Sequence, residues 1–129
     1  MMNPFFEMMV KIKNGSLVKK DVVKVSVSKL NARVADILVR EGYLEAVAKK
    51  GRGIKKYLEL KLKYPEGTPC IHQITFVSKP GKRVYRGAKE IGRVRNGYGL
   101  SLISTSHGII TDKEAREKNI GGEVLLKIY

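Results

Sequence analysis

Ser104, Thr105 and Ser106 stand in a row before His107 and Gly108, and Gly121-Gly122-Glu123 follows near the end of the chain. Short hydroxyls and backbone amides read sugar 2′-OH groups and base edges at close range, whereas Lys and Arg contacts to phosphate give affinity with little sequence information. Glycines at 108, 121 and 122 let the main chain come close to a nucleic-acid backbone with no Cβ in the way. Ser106, His107 and Asp112 also supply the residue types of a hydrolytic triad. Adjacent strand residues point to opposite faces, however, so Ser106 and His107 do not face each other. Cys70, His72 and the distant His107 offer three metal-ligand types, but no second cysteine pair or ordered carboxylate cluster accompanies them. The lone Gly51-Arg52-Gly53 reads as a turn and not as a phosphate-binding loop. Neither an enzyme nor a bound metal or cofactor is expected.

Charge narrows the partner. The 129-residue chain carries a formal net charge of +14 with pI near 10.0, the electrostatic footprint of a protein that meets a polyanion. Residues 49–95 hold fourteen Lys and Arg against three acids, Glu59, Glu66 and Glu90. From Asn96 onward four basic residues are cancelled by four acidic ones, so the hydroxyl row lies in the uncharged third of the chain. With 43% hydrophobic residues the chain is a folded globule and not a disordered basic tail. No apolar run reaches membrane-spanning length, no basic n-region precedes an apolar stretch, and the single Cys70 excludes an internal disulfide framework. The expectation is a cytoplasmic protein with no membrane partner.

Several elements must position these groups. Asn3-Pro4 reads as the start of a helix that stops at Asn14-Gly15. Alternation over Val22–Val27 predicts a half-buried strand, and Ser28 caps a helix whose Leu30, Val34, Ile37 and Leu38 form one apolar stripe before Gly42. A strand over Tyr43–Ala48, a basic tip at Lys49–Lys56 and an alternating strand with Leu58, Leu60 and Leu62 inward follow. Pro65–Pro69 cannot continue a ladder and marks the boundary of two lobes, 1–64 and 65–129. The second lobe reads mainly as strands: Ile71–Val77, the Ser78–Arg86 stretch, a turn at Asn96-Gly97-Tyr98-Gly99, Leu100–Ser104 and Glu123–Tyr129. Thr111 with Glu114 three residues on is a capping box for a short helix. The fold class expected is α+β: an N-terminal α/β lobe with two helices on a small sheet, and a mainly antiparallel C-terminal lobe with short helices.

The run Ser-Thr-Ser, Gly, Ile, Ile, Thr-Asp, Glu-Ala-Arg and then Gly-Gly-Glu-Val resembles the signature of the bacterial-type small-subunit ribosomal protein number eight family. The resemblance continues through SKPGKRVY at Ser78–Tyr85 and back to Asn3-Pro4 and KIKNG, and so covers essentially the whole chain. It implies a structural constituent of the small ribosomal subunit. Such a protein binds a helix in the central domain of small-subunit ribosomal RNA through its C-terminal lobe, supports assembly, and represses its own operon by binding an mRNA that imitates the rRNA site. Neighbouring small-subunit proteins are implied partners, with a monomer outside the ribosome.

On the matching positions the resemblance implies that Ser104, Thr105 and Ser106 meet sugars and bases at an irregular part of the RNA helix, because a regular A-form major groove is too deep and narrow to read. Lys82, Arg83, Tyr85 and Arg86 flank the same groove. Glu123 orients a neighbouring hydroxyl or ribose donor beside Gly121 and Gly122, or forms a structural salt bridge. In the N-terminal lobe the implied contacts are the first helix start at Asn3 and the Ser28-Lys29 entry of the second, where free amides and the positive dipole end suit phosphate. Asn3 stands where that family commonly has aspartate, His107 where a longer side chain is more usual, and the Lys49–Lys56 tip carries no implied contact. The alternative from charge alone is a non-specific nucleic-acid binder or RNA chaperone.

Overall fold

The computed structural model of the chain describes residues 4–79, 81–92 and 99–129, which divide into two units, Met1–Ile71 and His72–Tyr129. The element types are those of an α+β fold, with three helices and two antiparallel sheets. Asn3 and the Asn96-Gly97-Tyr98 part of the expected turn lie outside the described residues.

In the N-terminal unit, α1 (Pro4–Leu17) and α2 (Lys29–Arg40) accompany a three-stranded sheet of β1 (Val22–Ser26), β2 (Leu44–Lys50) and β3 (Tyr57–Leu62) in the order β1-β3-β2. Val23 and Val25 of β1, Leu58, Leu60 and Leu62 of β3, Met8, Met9 and Ile12 of α1 and Val34, Ile37 and Leu38 of α2 are buried residues of its core. Two sequence expectations need correction. The first helix does not stop at Asn14-Gly15 but runs on to Leu17. Gly15 serves packing instead: a Cβ there would sit 2.8 Å from Val23 Cγ1 and 3.2 Å from Leu62 Cδ1, so its absence lets α1 lie close on the sheet. Leu30 does not join the apolar stripe of α2 but is 39% exposed, and Asn31 is buried in its stead. The Asn31 side-chain amide donates to Ser26 O at 3.0 Å, tying the first turn of α2 to the end of β1. Residues 65–71 stay on this unit through backbone N–H of Cys70 to Lys63 O and the Cys70 thiol to Gly42 O, both 3.1 Å.

In the C-terminal unit, β4 (Ile74–Phe76), β5 (Tyr85–Arg86), β6 (Leu100–Thr105), β7 (Gly108–Thr111) and β8 (Gly122–Ile128) form a five-stranded sheet. β8 pairs antiparallel with β6 on one side, and with β4 and β5 on the other, at different points along its length. The sequence reading passed over β7: Gly108–Thr111 is only four residues, but it pairs with β6 through a two-residue turn at Ser106-His107. Gly108 there has φ +104°, a backbone region that glycine adopts without penalty. α3 (Asp112–Lys118) follows at once, packing Ala115 against Ile103, Ile110 and Val124.

Candidate nucleic-acid interface

The C-terminal sheet brings three separated stretches of sequence into one row. Ser104 of β6 pairs with Glu123 of β8, and Glu123 pairs with Tyr85 of β5. Register partners in an antiparallel sheet share a face. Ser104, Glu123 and Tyr85 therefore lie on one surface, and Ile103, Ile110 and Val124 lie on the opposite one beneath α3. Tyr85 is 65% exposed, so it is no half-buried strand tyrosine.

Each hydroxyl in the run has a different situation. Thr105 Oγ1 donates to Gly108 O at 2.8 Å and accepts from His107 N at 3.0 Å, so this hydroxyl closes the β6–β7 turn. Ser104, half-buried, and Ser106, exposed at the turn, make no side-chain hydrogen bond among the described residues. Thr105 thus holds the turn in shape and Ser106 stands at its tip. His107 is exposed beside it.

The glycine pair has a structural reason of its own. A Cβ at Gly122 would fall 2.3 Å from Ser104 O and 3.1 Å from the Thr105 methyl, and one at Gly121 would fall 2.6 Å from Arg86 O. The close approach these glycines permit is to the protein's own backbone. It draws β6, β8 and the end of β5 together, which sets the spacing of the row.

Basic groups line the β5 side of this surface. Lys82, Arg83 and Arg86 are exposed; Arg83 Nη1 lies 3.3 Å from Glu123 Oε2, and Arg86 Nη1 donates to Tyr85 O at 2.9 Å. Lys79 and Lys82 exchange backbone hydrogen bonds of 3.0 and 2.9 Å across a turn in which Gly81 has φ +86°. Ser78 anchors that turn: its hydroxyl donates to Val124 O at 2.7 Å and accepts from Val84 N at 3.0 Å. Sequence reasoning missed this role of Ser78. Its only signal is a small polar residue just before a Pro-Gly turn.

In the N-terminal unit Ser28 Oγ caps α2, accepting from Asn31 N at 3.0 Å, and Lys29 and Arg33 are exposed. The free N-terminal amides of α2 thus sit beside two cations, an arrangement that suits phosphate.

The residue types that raised catalysis do not assemble. Asp112 is buried and engaged, accepting from Ser101 N at 3.0 Å and pairing with Arg116 at 2.9 Å. Burial raises the Cys70 thiol above its ordinary value by more than Lys63 lowers it, which is the wrong direction for a thiolate nucleophile. Among the described residues no group of three or more His, Cys, Asp and Glu could hold a metal ion, and no helix is long and apolar enough to cross a membrane.

A family model described as ribosomal protein S8 matches residues 3–129. The small ribosomal subunit protein uS8 of Zymomonas mobilis is 44% identical over 127 residues, covering 98% of this chain and 97% of that one. The protein of the same name from Sphingopyxis alaskensis is 46% identical over 132 residues, covering 100% and 98%. That of Thiobacillus denitrificans is 46% identical over 125 residues, covering 97% and 95%.

Proposed function

The chain belongs to the ribosomal protein S8 family, and from that premise we propose that it grips a helix in the central domain of small-subunit ribosomal RNA with the β5-β8-β6 face of its C-terminal unit. As a family member it is a structural component of the small ribosomal subunit and not an enzyme, and its place is with the ribosome in the cytoplasm. Its partners are the subunit's RNA and neighbouring ribosomal proteins. The finer reading is that Ser104, Ser106 and Tyr85 meet riboses and base edges at an irregular part of the RNA helix. Thr105, Gly121 and Gly122 hold the surface in shape, and Lys82, Arg83 and Arg86 take phosphates. Glu123 steadies Arg83 and accepts from a ribose hydroxyl. Asn3, Ser28 and Lys29 supply a second, phosphate-directed contact. The same face serves assembly of the subunit and, through an mRNA that imitates the rRNA site, repression of the protein's own operon.

One observation carries the reading: a hydroxyl with no partner among the described residues stands at an ordered turn in the neutral third of the chain, on the sheet whose β5 end carries the exposed cations Lys82, Arg83 and Arg86. A generic polycation needs the cations alone. Competition binding separates the two. Ser106→Ala weakens binding to the central-domain helix by about 1 kcal/mol, roughly fivefold, and leaves affinity for random RNA unchanged, because a neutral hydroxyl carries little long-range Coulomb energy. Equal loss on both RNAs overturns the assignment of Ser106, and displacement of the wild-type protein from the helix by excess random RNA overturns specific binding altogether.

A further inference from the structure

Among the described residues the N-terminal sheet has a free edge. In the order β1-β3-β2, β1 has a neighbour on one side only. Leu62 N donates to Asp21 O at 2.9 Å, and Val23 and Val25 pair with Leu60 and Leu58, so the polar backbone groups of residues 21, 23 and 25 point to β3. Those of Val22, Lys24 and Ser26 point the other way. Two of the outward carbonyls confirm the phase: Lys24 O accepts from Lys11 Nζ at 3.2 Å, and Ser26 O from Asn31 Nδ2 at 3.0 Å. The Asn31 contact closes the far end of the edge; at the near end Lys11 engages Lys24 O, while the amides of Val22 and Lys24 and the carbonyl of Val22 have no partner among the described residues.

An open groove of about 540 Å³ runs along that end between α1 and β1, lined by Lys11, Asn14, Val18, Lys20, Val22 and Lys24 among others. Next to it Leu17 is 74% exposed, Val18 68% and Val22 37%, a cluster of large apolar side chains in water on a strongly charged chain. Native sheets normally blunt an open edge with charge or cover. Here the groove is lined by three lysines, Lys11, Lys20 and Lys24, together with the apolar Val18 and Val22.

We infer that this groove is a docking site for an extended acidic segment of another protein, which adds as a strand to the free edge of β1. The outward amides of Val22 and Lys24 and the outward carbonyl of Val22 match the alternate donors and acceptors of an added strand, and a carbonyl has a second lone pair, so Lys24 O can keep Lys11 while accepting from the newcomer. Alternate apolar side chains of the segment would cover Val18 and Val22. Its carboxylates would meet Lys11 and Lys20, the ammonium of Lys24 being 5.2 Å from the centroid of the Tyr57 ring. A nucleic acid satisfies the lysines but neither pairs with a strand edge nor covers exposed Leu17 and Val18. The site lies on the other unit from the proposed rRNA row and does not depend on that reading.

The test uses the full chain and three synthetic peptides followed by fluorescence anisotropy at about 0.1 M salt. One alternates Val and Glu, one alternates Val and Lys, and one has the charge of the first but proline at alternate positions, which removes half its strand donors. The Val-Glu peptide is expected to bind at least tenfold more tightly than either other, and to slow amide exchange at Val22 and Lys24. Val22→Pro removes an outward N–H at the first residue of an edge strand, where proline is tolerated. It should weaken the Val-Glu peptide about tenfold with the circular dichroism unchanged. Amide exchange on the unsubstituted chain carries the same test if that variant does not fold. Equal binding of the proline-bearing peptide reduces the effect to charge and overturns the proposal. Protection of Val22 and Lys24 by oligouridylate, with none from the Val-Glu peptide, assigns the groove to RNA and overturns it too.

Discussion

Glu123 shows how one side chain can serve two demands at once. Its carboxylate is 15% exposed and 3.3 Å from Arg83, in a region where phosphates are expected to approach. The Arg83 side chain is 52% exposed, and an ion pair with one partner so open to solvent contributes little to stability, so Arg83 can exchange Glu123 for phosphate at small expense. The carboxylate then remains as an acceptor for a ribose hydroxyl, the donor that tells RNA from DNA. Glu123→Gln keeps the shape and removes the charge. Its expected signature is divergent: random-RNA affinity rises because a repulsive charge is gone, while affinity for the specific helix falls by about 1.5 kcal/mol with the charge-assisted hydrogen bond. If both affinities rise together in filter binding, Glu123 is no more than the partner of Arg83. The neighbouring hydroxyls were legible in sequence as a group, but their separate roles were not. Nothing in Ser-Thr-Ser says that the middle one closes a turn while Ser104 and Ser106 find no partner among the described residues, since that follows from the register of β6 against β7.

At the scale of elements, local signals were read well where the chemistry is local. Thr111 Oγ1 accepts from Glu114 N at 3.2 Å and Glu114 Oε1 from Thr111 N at 3.4 Å, the reciprocal box that its spacing announces. The alternation of Leu58, Leu60 and Leu62 became β3, with all three buried. Readings failed where a tertiary neighbour decides. Gly15 looks like a helix stop until Val23 and Leu62 are placed against it, and Leu30 looks like part of the apolar stripe until Asn31 is drawn in to donate to Ser26 O. Gly121 and Gly122, at the start of β8, belong to the second kind. Gly122→Ala places a Cβ 2.3 Å from a backbone oxygen, which no rotamer can relieve, so β6 and β8 must part. A loss of roughly 2 kcal/mol is expected, in the range for overpacking a close contact, together with loss of specific RNA binding. Thr111→Ala removes the cap of α3 on the opposite face and costs about 1 kcal/mol, but leaves the row Ser104–Glu123–Tyr85 in register and specific binding intact. Urea midpoints and RNA titrations of the two variants check both. A Gly122→Ala variant as stable as the parent would show that the strands have slack, and that the glycine was needed by the RNA and not by the fold.

At the scale of the whole molecule, attraction and recognition fall to different groups. The formal charge of +14 is concentrated in residues 49–95, and from Asn96 onward the chain is neutral. Long-range Coulomb attraction collects RNA and is screened by salt over about 8 Å at physiological ionic strength, whereas the hydroxyl surface acts only on contact. Salt dependence therefore distinguishes the two kinds of residue without any structure of the complex. Each cation that neutralises a phosphate contributes a slope of about 0.7 to 0.9 in log affinity against log salt. Lys82 is the sharpest probe, being exposed at a turn held by its own backbone and, unlike Arg83, engaged in no ion pair among the described residues. Lys82→Ala should flatten the slope by a little under one unit on both specific and random RNA, while Ser106→Ala lowers specific affinity at every salt concentration by the same factor, displacing the line without tilting it. A Lys82→Ala line parallel to that of the parent would mean that its ammonium touches no phosphate, and a tilted Ser106→Ala line would mean that the turn moves neighbouring cations instead of reading the RNA itself.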